Sequence, residues 1–246
     1  MPGILSGSAL RRGCMLSLLA VASTATAGSF SISPIRLELS AGARTQVLTV
    51  RNEEDQPVVV QLRTLAWSQV DGQDRLETTR DLLATPPLFT VPARGQQVVR
   101  VATRRGADAS RELDYRLLVE EVPQAAPAGF TGLQVALRLS LPVFVQPQAP
   151  AHPALAWSAA WLADGRLLLR ARNDGTAHIQ VLDFDVQAAG SSQPSLHNSV
   201  ARYLLPGSQA EWTLEAAASA TRFAALRLHG ASDQGDFTAD VSVASP

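Results

Sequence analysis

Lysine is absent from the 246 residues; all 21 basic positions are arginine. The absence reads mainly as genomic composition, although the planar guanidinium fork suits carboxylate partners. Cysteine occurs once, at Cys14, inside a short apolar run near the N-terminus. Beyond that run there is no disulfide, no thiolate metal site and no cysteine nucleophile. A charge excess is missing as well. With a formal net charge of −1, a nucleic-acid partner has no electrostatic support, because no basic surplus displaces counterions from phosphates. No segment approaches the roughly 20 apolar residues of a membrane-spanning helix. Only 5% of the chain is aromatic. His152, His178, His197 and His229 are scattered, with no HExxH pattern and no pair at ligand spacing, so no metal site is expected. GxSxG, P-loop and GxGxxG motifs are all absent. Glu120-Glu121 resembles a catalytic pair, but adjacent strand residues point to opposite faces and cannot share a proton or a sugar. The expectation is a protein without catalytic residues or cofactor.

What is present begins with an export signal. Arg11 and Arg12 supply charge, residues 14–22 (CMLSLLAVA) are apolar, and Ala25-Thr26-Ala27 offers a small-x-small cleavage site. Residues 1–27 are therefore expected to be a signal peptide. The chain that follows carries 19 arginines against 22 acidic residues. At 46% hydrophobic it has enough apolar material for one large domain or two of about 100 residues.

Short runs of alternating apolar residues then follow one another, separated by turn residues. They predict strands at 31–39, 45–51, 58–67, 73–77, 88–91, 96–103, 114–122 and 132–145. Asp71-Gly72 marks a hairpin, since both residues tolerate positive φ. Residues 146–153 (QPQAPAHP) hold three prolines, the composition of an extended connector. The pattern restarts at 157–161, 166–172, 178–187, 200–204, 209–214, 222–229 and 236–243. About seven strands per half, with turn signals every 8–12 residues, predict an all-β fold of two tandem immunoglobulin-like sandwiches. The expected domains are 28–147 and 148–246.

One strand is unusual. From 133 to 145 every odd position is aliphatic: Leu133, Val135, Leu137, Leu139, Leu141, Val143 and Val145. Such alternation puts a continuous apolar ridge on one face. The ridge either fills the strand's own core or is offered to another protein by strand addition. The pattern alone does not choose.

The ordered set Ser33-Pro34-Ile35-Arg36-Leu37, Val50-Arg51-Asn52, Trp67-Ser68-Gln69 before Asp71-Gly72, and the 82–89 run LLATPPLF resembles one known family. Gln97-Val98-Val99-Arg100-Val101, Tyr115-Arg116-Leu117, Glu121-Val122-Pro123 and the 133–145 ridge continue the match. The likeness is to the periplasmic fimbrial chaperones of chaperone–usher pathways, in particular the archaic, spore-coat-like branch. It covers the first domain closely and the second loosely, where Asp233-Gln234-Gly235 sits at a characteristic turn.

The resemblance implies a periplasmic protein whose partners are pilin subunits and an outer-membrane usher. A pilin is an incomplete sandwich, and the chaperone lends it a strand, covering apolar core and pairing free backbone. The implied donor strand is Leu133–Leu141, with Leu133, Val135 and Leu137 as principal groove-fillers beside Leu139 and Leu141. Residues near Phe30 and Ile32 are expected alongside. Arg36 matches an arginine that anchors the subunit's C-terminal carboxylate. The family's lysine partner aligns with Pro142, leaving Arg100, Arg116 and Arg138 as candidate substitutes. Glu112 matches a glutamate that many relatives pair with Asp233 and an arginine, whose position here holds Gln146. An exposed ridge is an aggregation hazard, so client-free protein is expected to pair with itself as a capped dimer or cover the ridge with the 122–132 loop. The rival reading is a secreted two-domain adhesin or carbohydrate-binding module, which should expose aromatics in a groove. Trp157, Trp161 and Trp212 instead read as strand residues of separate cores.

Overall fold

The computed structural model describes residues 30–123, 135–191, 196–216 and 222–244. The expected signal peptide and Leu133 lie outside the described residues. Every element within them is a β-strand, arranged as two tandem sandwiches. In the first, β1 (Phe30–Ser33), β3 (Thr45–Asn52), β8 (Gln96–Thr103) and β6 (Leu82–Thr85) form one sheet in the order β1-β3-β8-β6. The facing sheet runs β2 (Leu37–Leu39), β10 (Arg138–Val145), β9 (Leu113–Glu121), β4 (Val58–Val70), β5 (Gln73–Thr78), with β7 (Leu88–Val91) also on β4. The second sandwich runs β14 (Leu196–Asn198), β13 (Ile179–Ala188), β17 (Ala225–Ser232), β18 (Gly235–Ala244), β11 (Leu155–Trp161), β12 (Leu167–Asn173), β16 (Gln209–Leu214). Its remaining strand, β15 (Arg202–Leu204), pairs with β13.

Two departures from the expected strands matter for the site. The run 31–39 is broken at Pro34, which has no N–H to donate. β1 pairs with β3 in one sheet, and β2 pairs in parallel with β10 in the other. The chain thus changes sheets across Pro34, Ile35 and Arg36. The run 132–145 is also shorter than expected, because β10 begins only at Arg138. By contrast the β4–β5 hairpin turns at Asp71 (φ 51°) and Gly72 (φ 72°), the left-handed conformations its sequence calls for.

Each sandwich has its own core. Leu37, Leu48, Val99, Val101, Leu117, Val119, Val143 and Val145 are buried in the first. In the second, Trp161 and Trp212 are buried, and Trp157 packs against the same cluster. Trp157 stacks on Trp212 with centroids 5.6 Å apart, so these tryptophans share one core, not separate ones. Inward-facing positions of two packed sheets converge on a single layer. A third cluster of Trp67, Phe144 and Leu205, flanked by Tyr203, joins the two sandwiches.

Candidate functional site

The ridge divides along its length. Val143 and Val145 are fully buried and Leu141 is 4% exposed, so this end fills the protein's own core. Leu139 and Leu137 are only partly buried against that core, and Val135 is 56% exposed. Leu141 is therefore a core residue rather than an offered one. The backbone divides in the same way. β9 pairs with β10 along Arg138–Val145, whereas β2 covers the opposite edge only at Val143, Phe144 and Val145. Among the described residues no strand covers that edge from Arg138 to Pro142. A free edge carrying half-buried aliphatics invites another strand.

Beside this edge lies a cleft of about 530 Å³, walled by Phe30, Ile32, Ile35, Leu139, Leu141 and Pro142 and holding two cations, Arg36 and Arg116. Arg36 is placed there by the sheet change before β2. It is already engaged. Its Nη1 donates to Asp233 Oδ2 at 2.7 Å, its Nη2 lies 2.8 Å from His178 Nε2, and its Nε is 3.1 Å from Glu38 Oε1. Asp233 sits in the β17–β18 turn, where its Oδ1 accepts from the Gln180 N–H at 2.8 Å. Burial alone would raise its pKa, but the His178 ring beside it, the Gln180 N–H and Arg36 outweigh burial and hold Asp233 below the ordinary carboxylate value.

Arg116 is held differently. In the β9–β10 ladder it lies opposite Pro142. Its guanidinium carbon stands 3.6 Å from the Trp67 ring centroid and 5.4 Å from that of Tyr203, a cation–π seat. Among the described residues it forms no ion pair. Burial, only partly offset by the Asp74 charge, pulls its pKa below the ordinary arginine value. The other two candidates are elsewhere. Arg138 pairs with Glu120 at 2.6 Å, and Arg100 is exposed on β8 opposite Thr85 and Val47, in the other sheet.

The sandwiches are tied together by a polar chain that sequence reasoning identified only in part. Glu112 is 1% exposed. Its Oε2 accepts from Gln146 Nε2 at 2.9 Å, and its Oε1 accepts from the His178 N–H at 2.9 Å and lies 2.6 Å from His178 Nδ1. Gln146 therefore bonds to Glu112 in place of the arginine, and the link across the sandwiches passes through His178 instead. The imidazole is 2% exposed and stacks flat on Phe144, with centroids 3.5 Å apart and planes 6° off parallel. Asp114 adjoins this chain; burial first, then the Glu112 charge, hold it well above the ordinary carboxylate range. Glu112, Asp114 and His178 bring potential ligand atoms within 4.8 Å of one another. Both Glu112 oxygens are already taken by N–H donors, so the grouping is accounted for as a hydrogen-bonded chain.

His178 and Phe144 were the residues missed. Phe144 had a signal: it is the aromatic that interrupts the small and polar even positions of the ridge. His178 had none beyond being apolar-flanked, since its role depends on Glu112, 66 positions away.

Residues 29–151 match the family model described as pili and flagellar-assembly chaperone, PapD N-terminal domain. No curated protein matches the chain significantly. Among solved structures, the chain resembles one in the CsuC–CsuE chaperone–tip adhesion subunit pre-assembly complex from archaic chaperone–usher Csu pili of Acinetobacter baumannii. That likeness has 18% identity and TM-score 0.66, over 88% of this chain and 100% of the other. The YadV chaperone is similar at 20% identity and TM-score 0.61, over 86% and 98%. A structure of the Salmonella enterica SafA pilin with the SafB chaperone gives 20% and 0.59, over 86% and 96%. These likenesses identify both sandwiches as immunoglobulin-like.

Proposed function

Since the chain belongs to the pili and flagellar-assembly chaperones, we propose that it captures pilus subunits in the periplasm by donating the 133–141 segment as a strand. The observation that carries this reading is the uncovered β10 edge, which runs beside an apolar cleft containing Arg36 and Arg116. An incoming strand satisfies that edge, and Val135, Leu137 and Leu139 enter the client's groove. Each aliphatic side chain fully buried there contributes about 1.5–3 kcal/mol. A client ending in a carboxylate places it between two guanidiniums in a cleft walled mainly by apolar side chains, where charge-assisted bonds are strong. Arg116, which has no carboxylate of its own among the described residues, takes the role that the family gives to lysine. Export by residues 1–27, delivery to an outer-membrane usher and self-capping when client-free complete the proposal. No bond of the client is made or broken.

The test is periplasmic co-expression with pilins encoded in the same genome. A complex is expected with the wild type and should be lost with Arg116→Ala, at nearly unchanged chaperone melting temperature, and with Arg36→Ala, which should stay folded but melt lower because Asp233 and His178 each lose a partner. Full recovery with Arg36→Ala removes Arg36 from the anchor. No complex with any pilin overturns the reading.

A further inference from the structure

We infer that His178 positions Arg36 through its protonation state, so that a proton on its Nε2 releases Arg36 to an incoming carboxylate; the inference rests on the anchor reading above. The argument is geometric. His178 Nε2 lies 2.8 Å from Arg36 Nη2. An arginine nitrogen can only donate, so in this arrangement Nε2 accepts and the imidazole is neutral, its one proton on Nδ1 facing Glu112 Oε1 at 2.6 Å. A second proton turns Nε2 into a donor, and two donors cannot remain 2.8 Å apart. The ring has no room to turn away, because Phe144 is stacked on it at 3.5 Å and Glu112 grips its other nitrogen. An acceptor is at hand, since Asp233 Oδ2 is 3.4 Å from Nε2. That oxygen is the one Arg36 Nη1 uses at 2.7 Å. Protonated His178 therefore displaces one Arg36 bond and competes for the other, and the guanidinium is left to the cleft it already lines.

The charged and titratable surroundings agree. Glu112 and Arg111 precede β9, Asp114 and Arg116 lie on it, Glu38 is on β2, and Asp233 is in the β17–β18 turn. Tyr203 of β15 has its ring centroid 6.0 Å from the imidazole. Burial alone would lower the His178 pKa. Hydrogen bonds with Asp233 and Glu112, and the Glu112 charge, outweigh both burial and the Arg36 charge and raise it above the ordinary histidine value of about 6.5. His178 therefore holds a proton more readily than an ordinary imidazole, over a range in which a carboxylate terminus stays ionised. A proton at His178 and a carboxylate at Arg36 favour each other, and the coupling is reciprocal.

The test uses the wild-type protein and a synthetic peptide of alternating valine and threonine, made with a free C-terminal carboxylate or as the amide. The carboxylate peptide should bind at least about fivefold more tightly near pH 6 than near pH 8, and the amide should show no such slope. The slope should vanish in His178→Gln, which keeps a polar side chain but cannot titrate, and persist in Asp114→Asn. In wild-type protein the NMR titration midpoint of the His178 ring should rise when the carboxylate peptide is added, a readout that stands even if His178→Gln fails to fold. An unchanged midpoint, a flat wild-type profile or an undiminished slope in His178→Gln overturns the inference alone. Equal binding of carboxylate and amide at every pH overturns the anchor reading with it.

Discussion

Removing the Glu112 side chain should uncouple the two sandwiches. The carboxylate is 1% exposed and accepts from three donors: the His178 backbone N–H at 2.9 Å, the imidazole Nδ1 side at 2.6 Å and the Gln146 amide at 2.9 Å. Gln146 is only half-buried and can turn to water, but both His178 donors are enclosed. Each buried donor left without an acceptor costs about 1–3 kcal/mol. Glu112→Ala should therefore lose roughly 2–6 kcal/mol, and Glu112→Gln, which keeps one acceptor oxygen, about half of that. For a chain of this size the melting temperature should fall by about 2–4 °C per kcal/mol. The assay is urea unfolding followed by tryptophan fluorescence, in which Trp67 reports the interface beside the three tryptophans of the second core, and by far-UV circular dichroism for the strands. The alanine variant should show the fluorescence transition moving ahead of the dichroism transition. A loss below about 1 kcal/mol, with the two probes still coincident, would refute the view that this chain holds the sandwiches together.

Three further outcomes follow from the same geometry. Phe144→Ala should cost about 3–5 kcal/mol, measured by calorimetry, because a fully buried ring leaves a gap between Trp67 and His178. Among the arginines, Arg116→Ala should lose client capture at nearly constant melting temperature. Arg138→Ala and Arg100→Ala should retain capture in the same pull-down, since Arg138 is tied to Glu120 and Arg100 lies in the other sheet. Stability should fall on both sides of a mid-acid optimum. His178 is raised in the folded state, so its contribution is full below about pH 6.5 and is lost as pH climbs through the folded value. Asp233 is lowered, so its contribution is full above about pH 3.9 and is lost as acid titrates it. Melting temperatures across the pH range should show the alkaline limb flatten in His178→Gln.

Much of the fold was legible because period-2 alternation and turn chemistry are local properties. β5, β7, β8 and β16 lie close to where their patterns put them. The four-residue β6 and three-residue β14 were not anticipated, since so few residues do not establish a period. The 31–39 run looked continuous because alternation carries no information about which sheet each half joins; the break at Pro34 separates β1 from β2. The site was legible where it is linear. The ridge could be read from residues 133–145, but not the point where it passes from offered to buried, which is fixed by the short reach of β2 along β10. Arg116 could be nominated but not ranked, because its seat is made by Trp67 and Tyr203 from two different sandwiches. The Glu112–His178–Asp233–Arg36 chain was least visible, since each of its links crosses between domains or loops.

Strand donation is the central claim, and an aspartate placed in the exposed part of the ridge, beside another placed in its buried part, tests it most directly. Val135→Asp puts an unpaired carboxylate where a client's apolar groove should close, a costly burial, on a side chain that is 56% exposed in the free protein. Leu141→Asp puts the same charge into the protein's own core, at a position 4% exposed. Pilin recovery and melting temperature are measured together for both variants. The account predicts that Val135→Asp keeps the wild-type melting temperature and recovers no pilin, whereas Leu141→Asp loses its fold. Pilin recovery by Val135→Asp equal to wild type, or its unfolding like Leu141→Asp, would contradict strand donation.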